Sequence, residues 1–299
     1  MNLRMCTLCF VALTALALWP ATALGGAWVQ EKSSYYFKIS SSYLFTETEL
    51  NFDGQEVNIL SGEDQLTNTS YRDIGAALYV EYGLTDRLTV VGALPFKVLR
   101  SRRTEVNDLI DLTRDIEVVN GGLSDLNVGL KYPLRMTPFP LSVYGAAKLP
   151  LGYDRRPENE GPPLGSGRVD LEGHLLAGVS LYPFPGYVTG GVGYRARTGD
   201  LDDEYLFSIE AGVSWGRLMG RIGLDGLYST TDPPNLAELD ARAVSSAVVV
   251  TNQDILKLAP GVTLSLTDEI SLVAEAFHII DGKNTVTGTT YAAGVVYQQ

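Results

Sequence analysis

Two histidines, His174 and His278, are the groups of this chain best suited to proton transfer near neutral pH. A lipid hydrolase would set such an imidazole beside a serine nucleophile. His174 follows Glu172 by two positions in an alternating segment, with Ser166 and Ser180 near it only along the chain, and His278 closes a later segment on its apolar side. Neither has a serine at a spacing that forces contact. His174 therefore reads as a polar residue of an interior and His278 as an interfacial one, with hydrolysis the weaker alternative. Gly190, Gly191 and Gly193 suggest a phosphate loop, but such a loop joins a strand to a helix, and these lie inside an alternating strand. Barrel curvature or close packing is the better account. Asp200, Asp202, Asp203 and Glu204 resemble a cation cluster without the glycine and distal glutamate of an EF-hand loop, and read as a solvated acidic loop. Arg100, Arg102 and Arg103 could grip lipopolysaccharide phosphates, although the acids between 105 and 117 offset them.

The elements that would position these groups begin after a leader. Residues 1–25 combine Arg4, an apolar core from Cys6 to Trp19 and a small-residue exit at Ala21–Thr22–Ala23, the pattern of a cleaved export signal. Both cysteines, Cys6 and Cys9, fall inside it, so the exported chain is expected to carry neither disulfide nor thiol chemistry. The 299 residues are 45% hydrophobic and 19% charged, with a net charge of −12, which disfavours nucleic acid as a partner. Nothing in the pattern calls for a cofactor or a metal.

Residues 26–299 read as one all-β domain. Apolar and polar positions alternate over 33–45, 72–82, 88–96, 124–132, 141–149, 169–182, 187–197, 204–215, 218–229, 254–266, 270–278 and 289–297, the period of a two-faced strand. Short connections rich in Gly, Pro and Asp (83–87, 133–140, 183–186, 216–217 and 267–269) alternate with longer ones (46–71, 97–123, 150–168, 198–203, 230–253 and 279–288). An even count of about 12 strands with short turns at one end and long loops at the other predicts a transmembrane antiparallel up-and-down β-barrel in a bacterial outer membrane, both termini periplasmic.

The faces discriminate between lipid and water. Leu126, Val128, Leu130 and Tyr132 share one face of a strand whose other face carries Asp125, Asn127 and Lys131; Leu171, Leu175 and Val179 likewise oppose Asp170, Glu172 and His174. A soluble sandwich would bury the apolar set and expose the charges, but the other face here is too charged for a dry core. Tyr35, Phe45, Tyr82, Phe96, Tyr132, Tyr182, Tyr228 and Tyr297 sit at segment ends, where interfacial girdles belong. The inward face then carries Lys38, Asp73, Glu81, Asp125, Lys131, Lys148, Asp170, Glu172, His174, Arg195, Arg197, Glu204, Glu210, Arg221, Asp225, Lys257 and Glu275, with the two signs nearly balanced. A mixed lumen is not the arginine and lysine ring of a phosphate pore. Most of the net negative charge lies in the loops 46–71, 198–203 and 230–253. The stretches 105–120 and 233–244 could fold inward as constrictions, the first as a short helix or a hairpin. The few residues before the first strand leave no room for a plug domain.

The wording is familiar as well. Tyr82-Gly83-Leu84-Thr85-Asp86-Arg87-Leu88, Gly122-Leu123-Ser124-Asp125-Leu126-Asn127-Val128-Gly129-Leu130-Lys131-Tyr132, Lys148-Leu149-Pro150 and Leu164-Gly165-Ser166-Gly167 with Asp170 resemble the landmarks of the MetA-pathway of phenol degradation family of outer-membrane proteins. That resemblance implies a barrel for hydrophobic or aromatic compounds and supplies no catalytic residue; the chain departs from common barrel endings in following Tyr297 with Gln298 and Gln299. The expected function is passive entry of small apolar or aromatic solutes, with outer-membrane lipid and lipopolysaccharide as the surrounding partners. The alternative is a non-transporting surface barrel whose acidic loops bind cations or a partner.

Overall fold

Two-residue alternation gives each strand one face for lipid and one for the interior, and the computed structural model closes such strands into a ring. It describes residues 26–59, 66–107, 112–155, 157–159, 161–199, 201–233 and 252–299. The strands are β1 (Tyr35–Thr46), β2 (Thr48–Leu50), β3 (Glu56–Asn58), β4 (Leu66–Thr85), β5 (Leu88–Asn107), β6 (Leu112–Leu123), β7 (Asp125–Arg135), β8 (Leu141–Pro150), β9 (Asp170–Ser180), β10 (Gly186–Arg197), β11 (Glu204–Trp215), β12 (Leu218–Ser229), β13 (Asp254–Ser265), β14 (Ile270–Lys283), β15 (Thr285–Val286) and β16 (Thr289–Gln298). Twelve of them form the barrel: each pairs antiparallel with its sequence neighbour in the wall, and β1 closes the ring against β16 from Tyr36↔Gln298 to Tyr43↔Tyr291. Closure removes the free edges that lipid would not tolerate.

Exposure separates the faces. Leu171 (60%), Val192 (61%) and Ile209 (51%) stand outside, an apolar area that would be an aggregation liability in water and is matched by lipid. Asp125, Lys131, Lys148 and Asp170 point inward and are buried.

β4 and β5 continue well past the expected ends. Above the apolar band both faces turn polar, as at Ser70, Arg72, Arg100, Ser101 and Arg102, so the hydrophobic period vanishes while the ladder persists from Tyr71↔Ser101 to Leu66↔Glu105. The stretch 105–120 is accordingly a hairpin extension rather than a helix or an inward constriction: β6 returns along the upper half of β5, from Asn107↔Leu112 to Phe96↔Leu123. The lower half of β5 pairs instead with β7, from Thr89↔Lys131 to Ala93↔Asn127. At the joint the Ser124 N–H donates to the carbonyl of Pro95 at 2.9 Å. Of the other expected constriction, residues 234–244 lie outside the described residues.

Among the described residues, the connection between β8 and β9 folds inward along 151–155 and 161–169. Ser124 Oγ donates to the Leu164 carbonyl, Lys148 Nζ reaches Ser166 Oγ at 2.9 Å, and Tyr153 donates its hydroxyl to Asp125 while accepting from the Gly167 N–H at 2.7 Å. Burial and the Asp125 carboxylate together push the Tyr153 phenol well above its ordinary range. Leu164 joins Leu44, Ile59, Tyr71, Leu99, Ile255, Ile279 and Val286 in an apolar cluster that caps the loop end of the lumen. β15, β2 and β3 form a small sheet beside it. Truncating Leu164 to Ala is expected to loosen this cap, costing about 2–5 kcal/mol as a buried Leu→Ala change. Limited proteolysis should then cut within 151–169 while the barrel ladder stays intact.

Candidate functional site

The inward charges predicted from alternation meet as cross-strand ion pairs. Around β9 to β11, Arg195 Nε bonds Glu172 Oε1 at 2.8 Å and its Nη1 bonds Glu204, while Arg197 Nη1 reaches Glu204 Oε1 at 2.5 Å and its Nε stands 3.7 Å from Asp170. Lys148 joins Asp170 and lies 3.7 Å from Asp125. Across the lumen Lys38 pairs with Glu275 at 2.6 Å, and Arg221 bridges Glu275 and Glu210. Lys131–Glu81 (3.2 Å) and Lys97–Asp73 (3.7 Å) complete the set on β4, β5 and β7. Asp225 faces Lys257 in register, and Lys257 Nζ lies 5.9 Å above the Phe277 ring. Pairing satisfies charges that the narrow interior would otherwise desolvate at high cost.

The structure sets both histidines beside polar partners other than serine. His174 Nε2 contacts Glu172 at 3.1 Å and its ring lies 5.6 Å from Tyr144; His278 Nδ1 contacts Thr289 Oγ1 at 2.9 Å. Among the described residues neither imidazole hydrogen-bonds a serine. In the acidic loop Asp202 accepts from Thr231 and Asn252, Asp203 accepts from the Tyr194 hydroxyl and the Arg197 N–H, and Glu204 turns inward. Those bonds hold the Asp203 carboxyl below its usual range. Asp200 lies outside the described residues.

The residues that alternation failed to flag are the chain ahead of β1. Residues 26–32 enter the turn end of the barrel and cross it as a strap. Ser142 Oγ donates to the Ala27 carbonyl at 2.5 Å, Lys131 Nζ to the Trp28 carbonyl at 3.3 Å, the Gln30 N–H to Thr89 Oγ1 at 2.9 Å, and Gln30 Nε2 to Glu81 at 3.2 Å. Trp28 meets Tyr187 edge-on at 6.0 Å. No periodicity marks so short a segment; its one signal is a tryptophan and a glutamine placed just ahead of the first strand.

Between strap and wall lies a cavity of about 800 Å³, lined by Trp28, Tyr36, Tyr79, Tyr187, Pro95 and Met219 among others and also by the charged Lys38, Glu210 and Arg221. Tyr36 and Tyr79 pack edge to face at 6.0 Å. A second cavity of about 150 Å³ continues toward the loop end beside Tyr144, His174, Glu172 and Arg195, and Tyr79 and Ala93 border both. The tyrosine hydroxyls are tied down, Tyr79 to Glu81 and Tyr187 to Glu210, each at 2.6 Å, which leaves ring faces toward the space. These aromatics share the parity of Lys38, Glu81 and Arg195, so the alternation does contain them once charge stops dominating the reading.

Glycines let these rings lie flat on the neighbouring strand. A Cβ at Gly193 would strike the His174 ring, and one at Gly212 would strike Tyr187. Close packing thus accounts for Gly193. Gly212→Ala should push Tyr187 from its bond to Glu210 at an overpacking cost of about 1–3 kcal/mol, whereas Gly173→Ala, where a Cβ meets open space, should change little. Thermal loss of the folded band on unboiled gels would measure both.

The ring of strands, the lipid-facing exterior and the paired interior together define a transmembrane β-barrel. No family model matches the chain, and no curated protein matches it in sequence. The structure is similar to that of the COG4313 outer membrane channel from Pseudomonas putida F1, with a TM-score of 0.64 at 13% identity, over 91% of this chain and 97% of that one. The KdgM porin (TM-score 0.47, 7% identity, 87% of this chain and 98% of that one) and the CymD monoaromatic hydrocarbon channel (0.42, 9%, 97% and 94%) are more distant. At such identities the likeness concerns the fold: a barrel of the kind found in outer membranes.

Proposed function

We propose that this chain is an outer-membrane channel through which small apolar or aromatic solutes pass without energy input, with its short turns and termini in the periplasm. The observation that carries the reading is the aromatic-lined cavity of about 800 Å³ held between the strap and the charged mid-lumen. A pocket of that size, mostly apolar with a few fixed polar groups, suits a ring-sized solute. The sequence resemblance to the phenol-degradation family and the outer-membrane fold support the same reading. The ion pairs brace the wall and, among the described residues, leave no single-sign ring to select anions or cations. The refolded protein in liposomes should admit monoaromatic solutes faster than sugars of similar size, and Glu172→Gln or Arg195→Gln should alter the rate. A barrel that stays sealed to all solutes, with or without its strap, would refute a channel.

One observation favours a second reading. An apolar cap stands at one end of the lumen and the strap crosses the other, an arrangement that suits a non-transporting surface barrel. That reading expects no passage and binding that depends on the loops.

A further inference from the structure

Three arginines stand together on the outside of the barrel, just above its lipid-facing band. On β5 the outward positions run Leu94, Phe96, Val98 and then Arg100 and Arg102; on β4 they run Leu78, Ala76, Ile74 and then Arg72. The ladder sets Arg72 directly opposite Arg100, with Ser70 opposite Arg102. Like charges facing each other across a ladder destabilise it, so local strand energetics give no reason for this pair. Arg72 has Phe45 below its guanidinium at 5.7 Å, and its Nε is buried without a hydrogen-bond partner. Arg100 and Arg102 meet Glu117 (2.9 Å) and Asp115 (3.5 Å) of β6, pairs about half exposed and therefore weak. Glu47 and Asn68 complete the rim of the groove. Arg103 takes no part, since it points inward to Glu105 at 3.1 Å.

We infer that Arg72, Arg100 and Arg102 bind the phosphate groups of the glycolipid that forms the outer leaflet, the phosphorylated disaccharide of lipopolysaccharide. An anion between Arg72 and Arg100 would turn a repulsive contact into two charge-assisted ones, and the planar guanidinium fork matches phosphate oxygens two at a time. Height decides the source of the phosphate: the groove begins where the apolar band and Phe45 end, the level at which a lipid's acyl chains give way to its headgroup. The inference rests on the membrane orientation proposed above, with the long loops outward.

The full-length exported chain, purified in detergent, would be mixed with bisphosphorylated lipid A, with dephosphorylated lipid A, and with inorganic pyrophosphate. Co-elution of lipid and the temperature at which the folded gel band is lost provide the readouts. Bisphosphorylated lipid A should be retained and should raise that temperature, and R72Q/R100Q should lower retention by about tenfold or more, as expected for lost hydrogen bonds to a charged group. R135Q, at the turn end, should retain lipid like the unaltered protein. Should the double variant fail to fold, R72Q alone removes the guanidinium that, among the described residues, pairs with no carboxylate, and should lower retention several-fold. Unchanged retention in these folded variants would overturn the assignment, as would equal retention of dephosphorylated lipid A. Binding of pyrophosphate as strong as that of lipid A would overturn the lipid source. Loss with R135Q and not with R72Q/R100Q would overturn both the site and the orientation. Solute passage is not read by this assay, so a failed channel measurement and a failed lipid measurement remain separate results.

Discussion

Deleting residues 26–31 is expected to raise the single-channel conductance of the barrel several-fold and to speed the entry of aromatic solutes into liposomes. The strap is fastened by side chains of β5, β7 and β8 through Thr89, Lys131 and Ser142, and by Gln30 to Glu81 of β4. None of these contacts belongs to the barrel ladder, which closes through β1 with β16 and β4. Removal should therefore leave the wall intact. It also releases Lys131 from the Trp28 carbonyl while leaving its pair with Glu81, so no isolated charge results. The two neutral bonds, to Thr89 and from Ser142, contribute about 0.5–1.5 kcal/mol each, and the two that involve the Lys131 ammonium or the Glu81 carboxylate about 1.5–3 kcal/mol each, a loss that falls on the strap and leaves the ladder of the closed barrel untouched. Trp28→Ala tests the same point more gently, since Trp28 packs on Tyr187 and borders the aromatic cavity. Planar-bilayer recordings decide it: unchanged conductance in the deletion would move the limiting closure to the cap at the loop end.

Lys148→Met is expected to be the most destabilising single change in the lumen, costing about 3–5 kcal/mol because it strands buried carboxylates. Lys148 is nearly fully buried between Asp125 and Asp170 and also holds Ser166 of the inward connection. Without the ammonium, Asp125 keeps the Tyr153 hydroxyl, and Asp170 keeps Arg197 at 3.7 Å. Two like charges then face one another across β7 to β9. Adding Asp170→Asn to Lys148→Met should recover part of the loss, as expected when the uncompensated charge rather than the missing contact dominates. The urea concentration at which the folded gel band disappears, measured for the single and double variants, tests this. Equal midpoints for Lys148→Met and the unaltered protein would refute the buried-charge account. Loosening of 151–169 should accompany the single change, making it sensitive to protease at the same sites as Leu164→Ala.

Alternation alone specified much of this protein. Asp125, Asn127 and Lys131 against Leu126, Val128 and Leu130 can face opposite ways only in a strand, and a strand apolar on its outside belongs in lipid. Twelve such segments with turns such as Gly216–Arg217 fixed the count and the up-and-down order. Close pairing of the inward charges follows as well, since a narrow interior cannot hold them apart in water. The sequence also held Tyr36, Tyr79, Tyr144 and Tyr187 on the inward parity, visible once the charged residues had defined it.

Contacts between segments remote in sequence lay beyond that reach. The period that reveals a strand fades where both faces are polar, so the upper halves of β4 and β5 and the return of β6 emerged only from the paired ladder. Nothing periodic distinguishes 26–32 or 151–169 from ordinary connections. Their inward course depends on partners far away, Ser142 for Ala27, and Leu44, Leu99 and Ile279 for Leu164. Register likewise set Arg72 opposite Arg100, because one residue of slip would turn either side chain into the lumen. Local pattern determined the wall and its two solvents, and tertiary closure decided which segments fill the space inside.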